Sequence, residues 1–481
     1  MVFLCFFFSA HLLILCATFA PTVYVQTFTY GKVPIEIWEW PVFIFLIIAF
    51  ITAASYIQRK RIIAEPEFRF YSLGLIAKMF GGIAFACIYV FYYKQGDTTS
   101  FYECSMAFSR LLMHDLSDFF TVYTGPGTAE MKSYFTMDTG EPMMYMFEEA
   151  STRFTMKLLV PFMVLSGNSY FITTLLVAIF TYGALWQLFR MFVSYFPGYS
   201  KHIAIAILFM PSVLFWGSGI LKDSFTLAAT CYLMVFTYRI ISKKGSILLN
   251  IIGLLFFTWV VLSIKAYVLL ILIPCTLVWF FYARIRRIRN TLIRVATIPF
   301  IYLIVLLSSY LFFSRFGASF GKFSFDKALQ TAVITQNDLK QDYYQGNSFD
   351  IGSWEPTPIG ALSKFPQATI AGLFRPFVFE SKNAVMIISG LENLFILGIT
   401  LYVLIRIRWR FLVEIINRSP IILYSLVFSI LFAFMIGLTT SNFGAMVRFK
   451  IPLIPLYMSS MMVFYSSMRE ATLGKKRVLI R

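Results

Sequence analysis

Residues 211–226, P-S-V-L-F-W-G-S-G-I-L-K-D-S-F-T, carry the contrast on which the whole chain turns. An apolar run reaches Trp216, breaks at Gly217-Ser218-Gly219, presents Lys222 beside Asp223, and resumes from Phe225 through Ile241. A charged side chain at the centre of a bilayer costs about 3 kcal/mol or more, so a Lys-Asp pair between two such runs belongs at an aqueous boundary or faces a cavity. The stretch reads as two membrane runs meeting at a polar corner.

The rest of the composition agrees. Of 481 residues, 59% are hydrophobic and 13% charged, against roughly 25% charged in soluble domains. The fold class expected is an all-α polytopic membrane protein, read as a single integral membrane domain over 1–481 in a lipid bilayer. Three histidines and six cysteines, with no C-x-x-C or H-E-x-x-H, leave no basis for a zinc site or a disulfide framework. No cofactor is called for; a divalent cation stays open at Asp115 and Asp118 or at Glu148 and Glu149.

Apolar runs divide the chain into about twelve spans by the length needed to cross hydrocarbon. They begin with residues 1–20, 41–57 and 71–93, the last containing Lys78, which is placed to snorkel to the interface. Further runs cover 169–192, 203–216, 225–241, 248–263, 267–282, 292–313, 393–405, 421–438 and 451–465, while 158–165 is too short to span. Arg59-Lys60-Arg61 and the R-I-R-R-I-R run at 284–289 mark cytoplasmic ends. With both termini cytoplasmic, the inner segments carry several times more Lys and Arg than acids, and the outer segments are near balance. The net charge of +18 is then the positive-inside bias of a bacterial cytoplasmic (inner) membrane protein, and no nucleic acid is needed to explain it. Two long polar segments, 94–157 and 314–390, fall outside, and segments of that length are usually functional or disordered.

Three groups in the outer segments carry candidate chemistry. Asp97, in G-D-T-T-S-F-Y directly after the third span, is placed to act as a general base towards a sugar hydroxyl, and equally to cap or start a helix. Lys222 can neutralise a phosphate, with Asp223 as its partner or as the cap of the following helix, and the glycine break offers backbone N–H groups to an anion. In L-F-R-P-F-V-F-E-S-K-N-A, Arg375, Glu380 and Lys382 lie among aromatics, and in T-T-S-N-F-G-A-M-V-R-F-K, Asn442, Arg448 and Lys450 stand at the outer start of the last span. An outer arginine beside a span needs an acidic partner or an anionic ligand, and arginine recognises phosphate bidentately. Lys265 sits at the corner between the runs 248–263 and 267–282.

The order of these motifs, Gly96-Asp97 with Phe101-Tyr102, Asn168-Ser169-Tyr170-Phe171, P-S-V-L-F-W-G-S-G-I-L-K-D, F-R-P-F with L-E-N, and N-F-G-A-M-V-R, resembles a group of bacterial polytopic envelope-polysaccharide enzymes over roughly residues 90–455. These are GT-C-like glycosyltransferases that use polyprenyl-phosphate-linked sugars, and O-antigen-type polymerases. The resemblance implies a polyprenyl-phosphate-linked sugar donor, a glycan acceptor, transfer on the extracytoplasmic face, and an acid of the first large outer segment as base, a role that falls on Asp97. The chain departs from the better-known C-type pattern in having Thr98, not a second acid, after Asp97.

A carrier of this kind is a long apolar tail with an anionic head at the interface. Its enzyme needs a lipid-accessible groove, cations at the outer rim (Lys222, Lys265, Arg375, Arg448) and a carboxylate above them. The leading expectation is a membrane glycosyltransferase. An O-antigen or capsule-type polymerase is the alternative within the same class, and a lipid-linked oligosaccharide flippase or transporter the alternative outside it. Against transport stand the absence of a mid-span acid and of a matched pair of broken spans.

Overall fold

The computed structural model describes residues 27–30, 33–285, 325–341 and 348–472, with isolated positions between 288 and 304. The expected span at 1–20, and that at 292–313 apart from isolated positions, lie outside the described residues. Among the described residues, apart from a short antiparallel hairpin pairing Thr27–Tyr30 with Val33–Glu36, the regular structure is helical, as in an all-α membrane protein. Among the described residues seven helices are long and apolar enough to cross a membrane: Glu39–Arg61, Pro66–Tyr93, Tyr170–Tyr195, Lys222–Ile241, Ile247–Lys265, Ala384–Arg406 and Pro420–Thr439. Phe443–Phe449 and Ile454–Thr472, bent by 69°, make an eighth if they are one span. The apolar window of Tyr170–Tyr195 is 78% buried in protein and that of Glu39–Arg61 only 17%. The first is therefore packed by protein, while most of the apolar surface of the second is left uncovered by it.

Several boundaries differ from the sequence reading, each for a local reason. The run 203–216 is not one continuous helix but two short ones, Ser200–Leu208 and Pro211–Phe215. Pro211 has no N–H to continue a helix and disfavours helical backbone at Met210. The run 393–405 is the later part of a 23-residue helix, Ala384–Arg406, whose start is fixed by the Asn383 side chain accepting the Met386 N–H at 2.9 Å. Glu392, inside this helix, interrupts the apolar run and makes it look short in the sequence. The polar segment 94–157 is largely helical, with Asp97–His114, Leu116–Thr124 and Ala150–Leu165. The described part of 314–390 contains Phe325–Asp338, Pro358–Ser363 and Phe365–Phe374.

The chain gathers into two compact units, Met1–Ala184 with Leu214–Ala228, and Leu185–Val213 with Ala229–Arg481. In the first unit Lys78 does not snorkel: it is fully buried and donates to the Gly217 carbonyl at 2.7 Å. The reason lies next to it. Gly81 lets the Leu214 carbonyl approach so closely that a Cβ there would collide with it, and the Gly219 backbone rests against the Phe85 ring. The corner read as an open anion nest is thus filled by protein. Ser218 donates to the Leu214 carbonyl at 2.5 Å, and Ser224 to the Gly219 carbonyl at 2.7 Å.

In the second unit the helices Phe365–Phe374 and Pro420–Thr439 pack backbone to backbone. A Cβ on Gly372 would strike the Ala433 carbonyl, and one on Gly437 the Ala368 carbonyl. Ala368 with Gly372, and Ala433 with Gly437, are small residues four apart, the spacing that lets membrane helices approach closely.

Candidate functional site

Asp97, Lys222 and Asp223 belong to the first unit; Lys265, Arg375, Glu380, Asn442 and Arg448 belong to the second.

In the first unit the site is built on the start of the helix Asp97–His114. The chain leaves the preceding span through Lys94, in left-handed backbone at φ 58°, and Gly96 at φ 150°. At Gly96 a side chain would be strained and would strike the Tyr89 ring. The Gly96 carbonyl then accepts the Thr99 N–H at 3.1 Å and the Thr99 hydroxyl at 2.8 Å. One turn in, buried Thr98 and Tyr102 anchor the helix: the Thr98 and Tyr170 hydroxyls lie 3.0 Å apart, and Tyr102 donates to the Asn168 carbonyl at 2.7 Å. Asp97 is left exposed in the first helical turn, where the helix dipole favours a carboxylate.

Lys222 comes to the same helix. Its ammonium lies 5.8 Å from the centre of the Phe101 ring, and Phe101 is four residues after Asp97, its neighbour on one helical face. Lys222 donates to the Ser151 hydroxyl at 3.0 Å and forms an ion pair with Glu149 at 3.3 Å. Glu149 precedes the helix Ala150–Leu165 and also accepts from Ser151 at 2.7 Å and from the Thr152 hydroxyl. Burial works against ionisation of Glu149, but the hydrogen bonds from Thr152 and Ser151 and the Lys222 ammonium outweigh it and hold the carboxyl below its ordinary range. Asp223 is buried in the first turn of the helix Lys222–Ile241. The sequence offers Glu149 only as a possible cation ligand beside Glu148, and neither its pairing with Lys222 nor the part of Ser151 shows there. E-E-A-S-T before an apolar run signals a helix start, but a partner 73 positions away leaves no local trace.

In the second unit four of the five residues gather about the short helix Phe443–Phe449. Asn442 caps it by accepting the Ala445 N–H at 3.1 Å. The Arg375 guanidinium lies 4.6 Å over Phe349 and 5.3 Å over Phe443, two rings stacked on each other. Its Nε donates to Glu380 at 3.0 Å and its Nη2 to the same carboxylate, so Glu380 takes one edge of the fork. At the other end of the helix Lys265 lies 3.9 Å from the Phe449 ring centre and Arg448 lies 5.9 Å from it. Two further residues complete the cluster through contacts that the sequence does not show. Lys450, in the bend after Phe449, is buried and donates to Asn393 Oδ1 at 2.5 Å and to the Arg375 carbonyl at 3.0 Å. Beside Asn393 in sequence, Glu392 accepts both the N–H and the hydroxyl of Ser212 at 2.8 Å, capping the helix Pro211–Phe215.

Among the described residues no three His, Cys, Asp or Glu side chains gather as metal ligands. Asp115 is engaged as a helix cap, accepting the Asp118 N–H at 2.9 Å, and Glu149 is engaged as above. No protein-family model, no curated protein and no solved structure matches the chain.

Proposed function

We propose that the chain is a membrane glycosyltransferase that moves a sugar from a polyprenyl-phosphate-linked donor to an envelope glycan acceptor. The reaction takes place on the extracytoplasmic face of the bacterial cytoplasmic membrane, in a GT-C-like protein with about twelve spans, by the apolar lengths in the sequence, and both termini inside. The observation that carries the reading is the meeting of an exposed acid and a cation on one helix face directly after a span: Asp97 one turn from Phe101, with Lys222 against the Phe101 ring.

In this reaction Asp97 takes the proton of an acceptor hydroxyl as its oxygen bonds to the anomeric carbon. The bond from that carbon to the phosphate oxygen breaks, and the electron pair leaves with the phosphate. Lys222 receives the developing charge. Its present partner does not prevent this, because an ion pair whose side chains are 21% and 46% exposed is worth about 0–1 kcal/mol, less than a phosphate offers. Lys265 and Arg448, flanking Phe449, form a second cationic rim, with Arg375, Glu380 and Asn442 shaping the aromatic surface beside it. Asp97→Asn should abolish glycan transfer, read as loss of the mature polysaccharide in a complemented deletion strain, with the protein still folded in membranes. Full activity of that variant removes Asp97 from the mechanism. A polymerase differs by its product pattern: its loss leaves single repeat units, whereas a transferase loss leaves units lacking one sugar.

One observation favours the transport reading. Glu392 is an acid buried within a span, and Lys450 lies in the 69° bend between Phe443–Phe449 and Ile454–Thr472, features that broken transporter helices share. Movement of a labelled lipid-linked sugar across vesicles by the purified protein, with no glycosidic bond made, would establish transport over transfer.

A further inference from the structure

The helix Ala150–Leu165 carries Lys222's partner Ser151 on one side and two cations on the other. Arg153 and Lys157 are one turn apart, and residues two or six positions from Ser151 point away from it. Both are partly buried, and among the described residues neither forms an ion pair with an acid. Arg153 is held in place by its Nη1, which donates to the Phe147 carbonyl at 2.5 Å and the Glu148 carbonyl at 3.2 Å. Its guanidinium occupies a space that exists because residue 127 is glycine, at φ 76°; a Cβ there would overlap it. Lys157 lies 5.6 Å from the centre of the Tyr123 ring, and Tyr123 donates to the Lys157 carbonyl at 3.2 Å.

Like charges one turn apart repel. Burial first, and the Arg153 charge second, push the Lys157 ammonium down to about 8. Two cations held this way, with the Nε and Nη2 edge of the guanidinium uncommitted, match a phosphate, which arginine binds with two parallel hydrogen bonds and lysine as a point charge. The neighbouring surface indicates what carries the phosphate. Tyr123 shares its helix face with Leu116 and Phe120, spaced four and three residues apart, and both are more than half exposed. A helix with an apolar face beside cations lies in the interface of a bilayer, apolar side towards the acyl chains.

We propose that Arg153, Lys157 and Tyr123 form a site for the phosphate headgroup of an anionic membrane lipid, separate from the Lys222 site and independent of the reaction assigned to it. The test measures acetylation of Lys157 by an amine-reactive ester, read by peptide mass spectrometry on the full chain in detergent. Short-chain phosphatidic acid should slow acetylation at least fivefold, short-chain phosphatidylcholine should do so far less, and Arg153→Gln should abolish the protection. Equal protection by inorganic phosphate alone would overturn the lipid source and leave a free-phosphate site. No protection by any phosphate, or protection unchanged in Arg153→Gln, would overturn the site itself. Should Arg153→Gln fail to fold because the 147 and 148 carbonyls lose their donor, Lys157→Gln replaces it. Native mass spectra should then show at least fivefold less retained phosphatidic acid, and undiminished retention overturns the proposal.

Discussion

Lys222 and Lys450 both stand at breaks between apolar helices, both donate to hydroxyl, amide or carbonyl oxygens, and both have a glutamate close by in their own unit. Lys222 keeps about a fifth of its side chain in solvent and pairs with a carboxylate that is nearly half exposed. Lys450 is 1% exposed and is held by Asn393 Oδ1 and the Arg375 carbonyl. The difference in burial separates their roles. An exposed pair is weak and can be exchanged for a ligand, whereas a buried ammonium and its acceptors must stay together because each is costly alone. The first unit therefore holds its cation in a partly exposed pair that an anionic ligand could displace. The second uses its cation to lock F-R-P-F, L-E-N and the last bent helix pair to one another.

The largest expected effect tests the buried side. Lys450→Met removes two hydrogen bonds to a charged donor and strands Asn393 Oδ1 and the Arg375 carbonyl, at about 3–5 kcal/mol. That is a large share of a typical total stability of about 5–15 kcal/mol. Size-exclusion profiles and thermal melts in detergent should show little folded protein. A melt matching the parent would mean the lysine is not structural. Glu392→Gln comes next. It keeps an acceptor for the Ser212 N–H but loses the charge and one favourable bond, at about 1–3 kcal/mol, and should lower the melting temperature without abolishing the folded peak.

Lys222→Ala sharpens the comparison from the other side. Stability should fall by about 1 kcal/mol or less, while glycan transfer under the proposed function is lost. If Lys222→Ala destabilised the protein as much as Lys450→Met, the distinction between an exchangeable and a structural lysine would be wrong.

What could be read in advance follows from how far the physical cause reaches along the chain. Long apolar runs report spans directly, and Gly96-Asp97 and Lys222-Asp223 report helix starts, because turn and capping chemistry lies within a few residues. The helices within 94–157 read as a polar outer segment because their apolar positions never form a continuous run. Glu392 made a 23-residue helix look like a short one, since hydropathy counts an acid against a span even when Ser212 caps its charge from elsewhere. By its distance from the run's end, Lys78 reads as an interfacial lysine. Its buried position depends on Gly81 admitting the Leu214 backbone, a contact made across 133 positions of sequence. Glu149 with Lys222, and Lys450 with Asn393, fail the same way: pairing over such separations leaves nothing in the local pattern.

The smallest effect concerns Glu149 and pH. Its carboxyl is held below the ordinary value of 4.5 despite burial, by Thr152, Ser151 and Lys222. The folded form therefore binds its proton less readily than the unfolded form, and the ionised pair adds stability above the ordinary carboxylate range. That contribution fades as pH falls through the lowered value, where the folded carboxyl is at last protonated. Because the side chain is nearly half exposed, solvent screening keeps the amount below about 1 kcal/mol. Melting temperatures of the parent and of Glu149→Gln should converge as pH falls from about 6 to below 4, the variant lacking the parent's acid-side loss. Parallel curves for the two proteins would mean the carboxylate is not held by these partners, and Lys222 would then be a cation without its exchangeable counter-ion.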